Sequence, residues 1–126
     1  MKYMKRVEDW IKQAKRDLEE AKYAKRGDYY ELVCFLSQQC AEKAVKGLLQ
    51  FRGIERRGHS ISRLLENPPE DIFQCAVFLD KQYTLSRYPD VYDEGSPYEY
   101  YTQKDAEECI NCAIKILDWV KGEISK

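Results

Sequence analysis

Apolar residues fall at Val7, Trp10, Ile11, Ala14, Leu18 and Ala21. That spacing lays one stripe along a helix. Gly27 ends the run, and Asp28-Tyr29-Tyr30-Glu31 has the form of a capping box, with Asp28 accepting from a free amide and Glu31 reaching back. A second helix is predicted from Tyr29 to Arg52, with Gly53 just past its end. Its apolar positions (Leu32, Val33, Phe35, Leu36, Ala41, Ala44, Val45, Leu48, Leu49, Phe51) cover more than one stripe, so this helix belongs at the centre with neighbours on several sides. The short turn between the two helices makes them an antiparallel hairpin. Ser60 to Leu65 reads as a short helix, and Pro69 suits the start of another, which carries Ile72, Cys75, Ala76, Leu79 and Tyr83 inward. Pro89, Gly95 and Pro97 exclude regular helix from residues 86–101. Thr102 is a good N-cap with Asp105 in the first turn, and the last helix presents Ala106, Ile110, Ala113, Ile114, Leu117, Val120 and Ile124. No run reads as a strand. The expected fold is all-α: a four- to five-helix up-and-down bundle in one domain, 1–126, with a long ordered loop before the last helix.

Composition narrows the class. The chain has 126 residues, 44% hydrophobic and 34% charged, enough to bury a core. No apolar run approaches the roughly 20 residues of a membrane span, and the N-terminal stretch is charged throughout, so a cytoplasmic protein without a membrane partner is expected. Five cysteines, an odd number, with no export signal argue against a disulfide framework. Cys109 and Cys112 form a C-x-x-C, but mid-helix, with no second such pair and only His59 as a histidine. Buried free thiols are expected, with no metal and no cofactor. Net charge is −1, yet bases gather in 1–26 and 43–63 and acids in 66–108. That polarity suits an anionic ligand at one end, or self-association.

The candidate chemistry lies in "SRYPDVYDEGSPYEYY", residues 86–101, which holds five of the ten tyrosines. Arg87 offers a phosphate-binding guanidinium, and Tyr88, Tyr92, Tyr98 and Tyr100 offer rings for a base to stack on. Asp90 sits among them. The competing reading is an Arg87–Asp90 pair closing a turn, with the tyrosines packed on the bundle. The acids Asp90, Asp93, Glu94 and Glu99 oppose an anion unless Arg87 dominates locally. On the central helix Gln39, Glu42, Lys43 and Lys46 are spaced three and four apart, so they share a polar face, beside Gln38. That face is either a solvated stripe with a Glu42–Lys46 pair or a wall opposite the tyrosine loop. Arg52, Arg56, Arg57 and Arg63 bracket His59 as a solvated basic corner or a hold for RNA phosphates or an acidic partner.

Three segments, "DWIKQAKRDLEEAKYAKRGDYYELVCFLSQQCAEKAVKGLL", "GHSISRLL" and "SRYPDVYDEGSPYEYYTQKDAEECI", make the chain resemble the HEPN domain family over nearly its whole length. The resemblance implies a homodimer, and a minimal nucleotidyltransferase partner of the kind with which many relatives form toxin–antitoxin pairs. Some members are metal-independent ribonucleases. Others bind nucleotide or RNA, or act as adaptors. The ribonuclease signature places a histidine a short way after an arginine. Counted from Arg87, the positions are Tyr92, Asp93 and Glu94, none of them histidine. In-line cleavage by the 2′-hydroxyl needs a proton acceptor, a proton donor and positive charge on the phosphorane. Histidine suits the proton steps, so a dimer without nuclease activity is expected, one that binds nucleotide or RNA or regulates a nucleotidyltransferase partner. The alternatives are a ribonuclease using Arg87 with a non-histidine acid or base, and a purely structural adaptor. His59, in a segment resembling the family's short-helix start, is expected to pack or cap there.

Overall fold

The computed structural model describes residues 2–126, with side chains from Arg6 onward. Six helices follow in order: α1 (Lys2–Arg26), α2 (Tyr30–Arg52), α3 (Ile61–Leu64), α4 (Glu70–Leu85), α5 (Pro97–Tyr100) and α6 (Gln103–Ile124), with a 3-10 turn at Pro89–Val91. No strand occurs among the described residues. The protein is an all-α bundle, as the periodicity predicts.

The α1–α2 hairpin is the most extensive packing in the fold, and α2 also meets α3, α4, α5 and α6. Small residues let α1 and α2 approach. Ala14, Ala21, Ala41 and Ala44 are fully buried, and a Cβ on Gly47 would lie 3.1 Å from Trp10 Cβ and 3.3 Å from Ile11 Cδ1. The centre is filled by Val45, Leu48, Ile61, Leu64, Leu79, Ile116 and Val120. Aliphatic side chains removed from water at this density supply most of the driving force for folding.

The helix ends show which local signals hold. Gly53 takes φ +69°, with its amide on Gln50 and the Ile54 amide on Leu49: a Schellman closure, in the left-handed conformation that glycine adopts without steric cost. Thr102 accepts from the Asp105 amide at 3.2 Å while the Asp105 carboxylate accepts from the Thr102 amide at 2.9 Å, the reciprocal box expected there. The box expected at Asp28 does not form. Asp28 itself has φ +64°, its amide donates to Lys25 and the Tyr29 amide to Ala24. Asp28 is therefore the left-handed residue closing α1, and its carboxylate instead accepts from the Tyr30 hydroxyl at 2.9 Å. The loop also carries more helix than its prolines suggest. Pro89 opens the 3-10 turn and Pro97 opens α5, whose Ser96–Glu99 pair is a capping box. Proline bars the interior of a helix but favours its first turn.

The cysteines overturn the expectation of free thiols. Cys34 on α2 is joined to Cys109, and Cys75 on α4 to Cys112, with Cα–Cα distances of 5.2 and 5.1 Å. On α6, Cys109 and Cys112 lie one turn apart on one side, and that side packs against both α2 and α4, so each sulfur reaches a different helix. The odd residue is Cys40, free and buried.

Candidate functional site

Arg87 follows the end of α4, where Ser86 is the C-cap. Its Nε donates to the Tyr83 carbonyl at 2.8 Å. Its guanidinium carbon lies 4.4 Å from the centre of the Phe35 ring, 4.4 Å from Tyr83 and 4.8 Å from Tyr88. Three aromatic faces thus hold one planar cation, an arrangement that strengthens as water is excluded. Asp90 is exposed and forms no ion pair with Arg87 among the described residues.

The other face of the site comes from α2 and the segment before α3. The His59 ring stacks on Tyr83, centroids 4.6 Å apart and planes 15° from parallel. His59 Nδ1 lies 3.1 and 3.2 Å from the Glu42 carboxylate oxygens, donating to them in the tautomer with its proton on Nδ1. Nε2 then keeps its lone pair, on a side chain 55% exposed. Glu42, only 4% exposed, also accepts from Gln38 Nε2 at 3.1 Å and Lys46 Nζ at 3.0 Å. A buried carboxylate with this many donors is fixed in direction. Gln38 also donates to the His59 carbonyl at 3.1 Å. His59 is therefore neither the cap of α3 nor a packed core residue: Ser60 is the N-cap. A strand of polar groups runs from Lys46 through Glu42 to His59, and Tyr83 joins it to Arg87.

The remaining residues of the sequence reading divide. Gln39 donates to Gln38 Oε1 at 2.7 Å. Lys43 turns to α1 and pairs with Asp17, so on the α2 polar face it is Glu42 that meets His59, with Lys46 paired to the same carboxylate. In the loop, Tyr88 stays with Arg87, while Tyr92 stacks on Tyr100 at 4.3 Å. The Tyr92 hydroxyl donates to the Leu85 carbonyl at 2.7 Å and that of Tyr100 to the Glu94 carbonyl. Burial pushes the Tyr92 phenol up from its ordinary value. This pair ties the loop to the end of α4. Tyr98 is 67% exposed. Near His59, Arg56 is taken up by Glu66 and the Leu64 carbonyl, whereas Arg57 and Arg63 are exposed. Phe35, Tyr83 and the His59–Glu42 contact were not foreseen. The signals lay in spacing: Tyr83 stands four before Arg87, and Phe35 and Glu42 are seven apart on α2, so each pair shares a helix face.

As a surface, the site combines a guanidinium whose Nη atoms have no hydrogen-bond partner among the described residues, an exposed tyrosine ring beside it and an imidazole edge. Charge, stacking and proton exchange are available within one turn of α4. No group of acidic, histidine or cysteine side chains among the described residues is arranged to hold a metal ion, and no described helix is long and apolar enough to cross a membrane.

The chain matches the family model described as HEPN domain over residues 7–123. It is 35% identical to a Methanocaldococcus jannaschii protein named "Putative toxin MJ1304", covering 89% of this chain and 84% of that one. Among solved structures it is similar to ST0689, an archaeal HEPN homologue (82% identity, TM-score 0.88), and to TT1696 from Thermus thermophilus (40%, 0.90). A HEPN domain protein from Thermotoga maritima is also similar (33%, 0.76). Each of these three comparisons covers 94% of this chain and 98% of the other. With the family model reaching into all six helices, the chain belongs to the HEPN domain family.

Proposed function

We propose that this HEPN protein is a toxin-like, dimeric RNA- or nucleotide-binding protein, and that its ligand is held at the Arg87–Tyr88–His59 surface. The observation that carries the reading is the Arg87 guanidinium among three rings with His59 stacked on one of them. Tyr88 offers a base a stacking face and Arg87 offers a phosphate its Nη donors. The toxin-like part rests on the name of the M. jannaschii relative. A minimal nucleotidyltransferase is the proposed partner, tested by co-purification, and light scattering at micromolar concentration tests the dimer.

Because Arg87 also stacks on three rings, Arg87→Ala will lower the melting temperature as well as weaken binding, so the decisive readout is salt dependence. For single-stranded RNA, losing one phosphate contact lowers the slope of log K against log salt by roughly 0.7. Arg87→Ala is expected to show that drop, and Arg87→Lys to recover the slope without the affinity, since an ammonium cannot stack as a plane. An unchanged slope places the phosphate elsewhere.

One observation favours a second reading, cleavage. His59 holds Nδ1 on Glu42 in a half-exposed side chain, which leaves Nε2 as the candidate proton acceptor for a 2′-hydroxyl. Purified protein incubated with RNA in a chelator tests it. Cleavage lost in His59→Ala while binding persists supports a ribonuclease. No cleavage at high protein concentration leaves binding alone.

A further inference from the structure

We infer that Asp80 is the positioning residue of this site: its carboxylate fixes the segment that carries His59. The inference rests on the proposed site. Asp80 accepts from the Ile61 amide at 2.6 Å, the Ser62 amide at 3.2 Å, the Ser60 hydroxyl at 2.9 Å and the Ser62 hydroxyl at 2.6 Å. Four donors from three successive residues leave the 60–62 backbone little freedom. The helix they begin, α3, has four residues, too few to persist without outside support. Gly58, with φ +111°, is the turn on the other side of His59. His59 therefore sits between a conformation that glycine alone adopts without strain and a carboxylate clamp.

The clamp belongs to the same helix as the rest of the site. Asp80, Tyr83 and Arg87 succeed one another at steps of three and four along α4 and just past its end, so they share one side. The residue that anchors the histidine segment, the ring on which the imidazole lies and the guanidinium are thus registered by a single rigid element. From α2, Glu42 and Gln38 take the Nδ1 and carbonyl of His59. They set the ring's rotation, while Asp80 sets where the segment stands over Tyr83. Groups held this way lose productive geometry with small displacements.

His59 is the chain's one histidine, so its imidazole protons are unambiguous in an NMR spectrum. Lying over Tyr83, they carry an upfield ring-current shift that Tyr83→Leu removes. In Asp80→Asn, whose amide cannot accept from all four donors, that shift is expected to collapse toward the Tyr83→Leu value, with RNA affinity falling about tenfold, close to 1.4 kcal/mol. Amide resonances of α1 and α6 stay in place. If Asp80→Asn does not fold, the Ser60→Ala/Ser62→Ala pair, which removes two donors and leaves the carboxylate, is read in the same way. A retained ring-current shift in either variant overturns the inference whatever the affinity does. A lost shift in a protein whose wild type binds no RNA upholds Asp80 as the positioning residue and defeats the proposed function instead.

Discussion

Cys40 shows how a single buried group writes itself into stability. Burial pushes its thiol up from 9.0 to about 12, with the Asp17 carboxylate acting in the same direction. The neutral thiol is favoured in the folded protein, whereas the unfolded chain ionises near 9. The resulting stability is whole below pH 9 and is lost as pH rises toward 12, at roughly 1.4 kcal/mol per pH unit. Tyr101 and Tyr92, raised by burial from 10.0, contribute stability that is lost only as pH rises above 10. Melting Cys40→Ala and wild type at pH 8 and pH 10.5 is expected to show a smaller alkaline loss in the variant. Equal losses would mean that the thiol is open to water when folded. At this scale, Arg87 and the Glu42–Lys46 pair were legible because charged side chains within a hydrophobic context attract notice. Tyr83 and Phe35 were not, since an aromatic at helical spacing reads as core whether its face meets aliphatic carbon or a guanidinium.

At the scale of elements, the sequence marks most helix ends, because caps are local chemistry. Thr102-x-x-Asp105 and Asp28-x-x-Glu31 look alike on paper, and only the first is a box. The difference lies upstream. The chain leaves α1 through a Schellman closure that needs a left-handed residue, and Asp28 occupies that position, so it cannot also take the extended conformation of an N-cap. Gly27 drew attention to the right turn but the wrong residue. By the same physics, Thr102→Ala is expected to cost about 1 kcal/mol through loss of the hydroxyl that accepts from the Asp105 amide and donates to its carboxylate, and Gly53→Ala about 1 kcal/mol through a left-handed alanine. Urea unfolding would report each as a lower midpoint at unchanged slope. If Thr102→Ala leaves the midpoint in place, the box contributes nothing and the α6 start is held by packing alone.

Across the whole molecule, one helix carries both disulfides. The pairs span sequence separations of 75 and 37, loops whose closure restricts the unfolded chain by about 4 kcal/mol each in the chain-entropy account. Sequence counting missed them because pairing depends on which helices α6 touches, and an odd total says nothing of how many cysteines pair. Their surroundings differ. Cys34 and Cys109 are fully buried, whereas Cys75 and Cys112 line a surface hollow of about 390 Å³ with Phe78, Glu108, Asn111 and Lys115. Thiol–disulfide exchange needs an attacking thiolate to reach sulfur. Native protein in mild reductant followed by alkylation is therefore expected to label Cys75 and Cys112 and leave Cys34 and Cys109 unlabelled until denaturant is added. Cys75→Ala/Cys112→Ala should lower stability by about 4 kcal/mol, measured by urea unfolding. Labelling of all four under native conditions would place the Cys34 pair within solvent reach. Labelling without any reductant would show that the sulfurs lie close but unbonded. Since α4 bears Asp80 and Tyr83 and leads into Arg87, releasing its bond to α6 loosens the element that registers the site. On the proposed function, the same reduced sample should therefore bind RNA more weakly than the oxidised one before its global fold is lost.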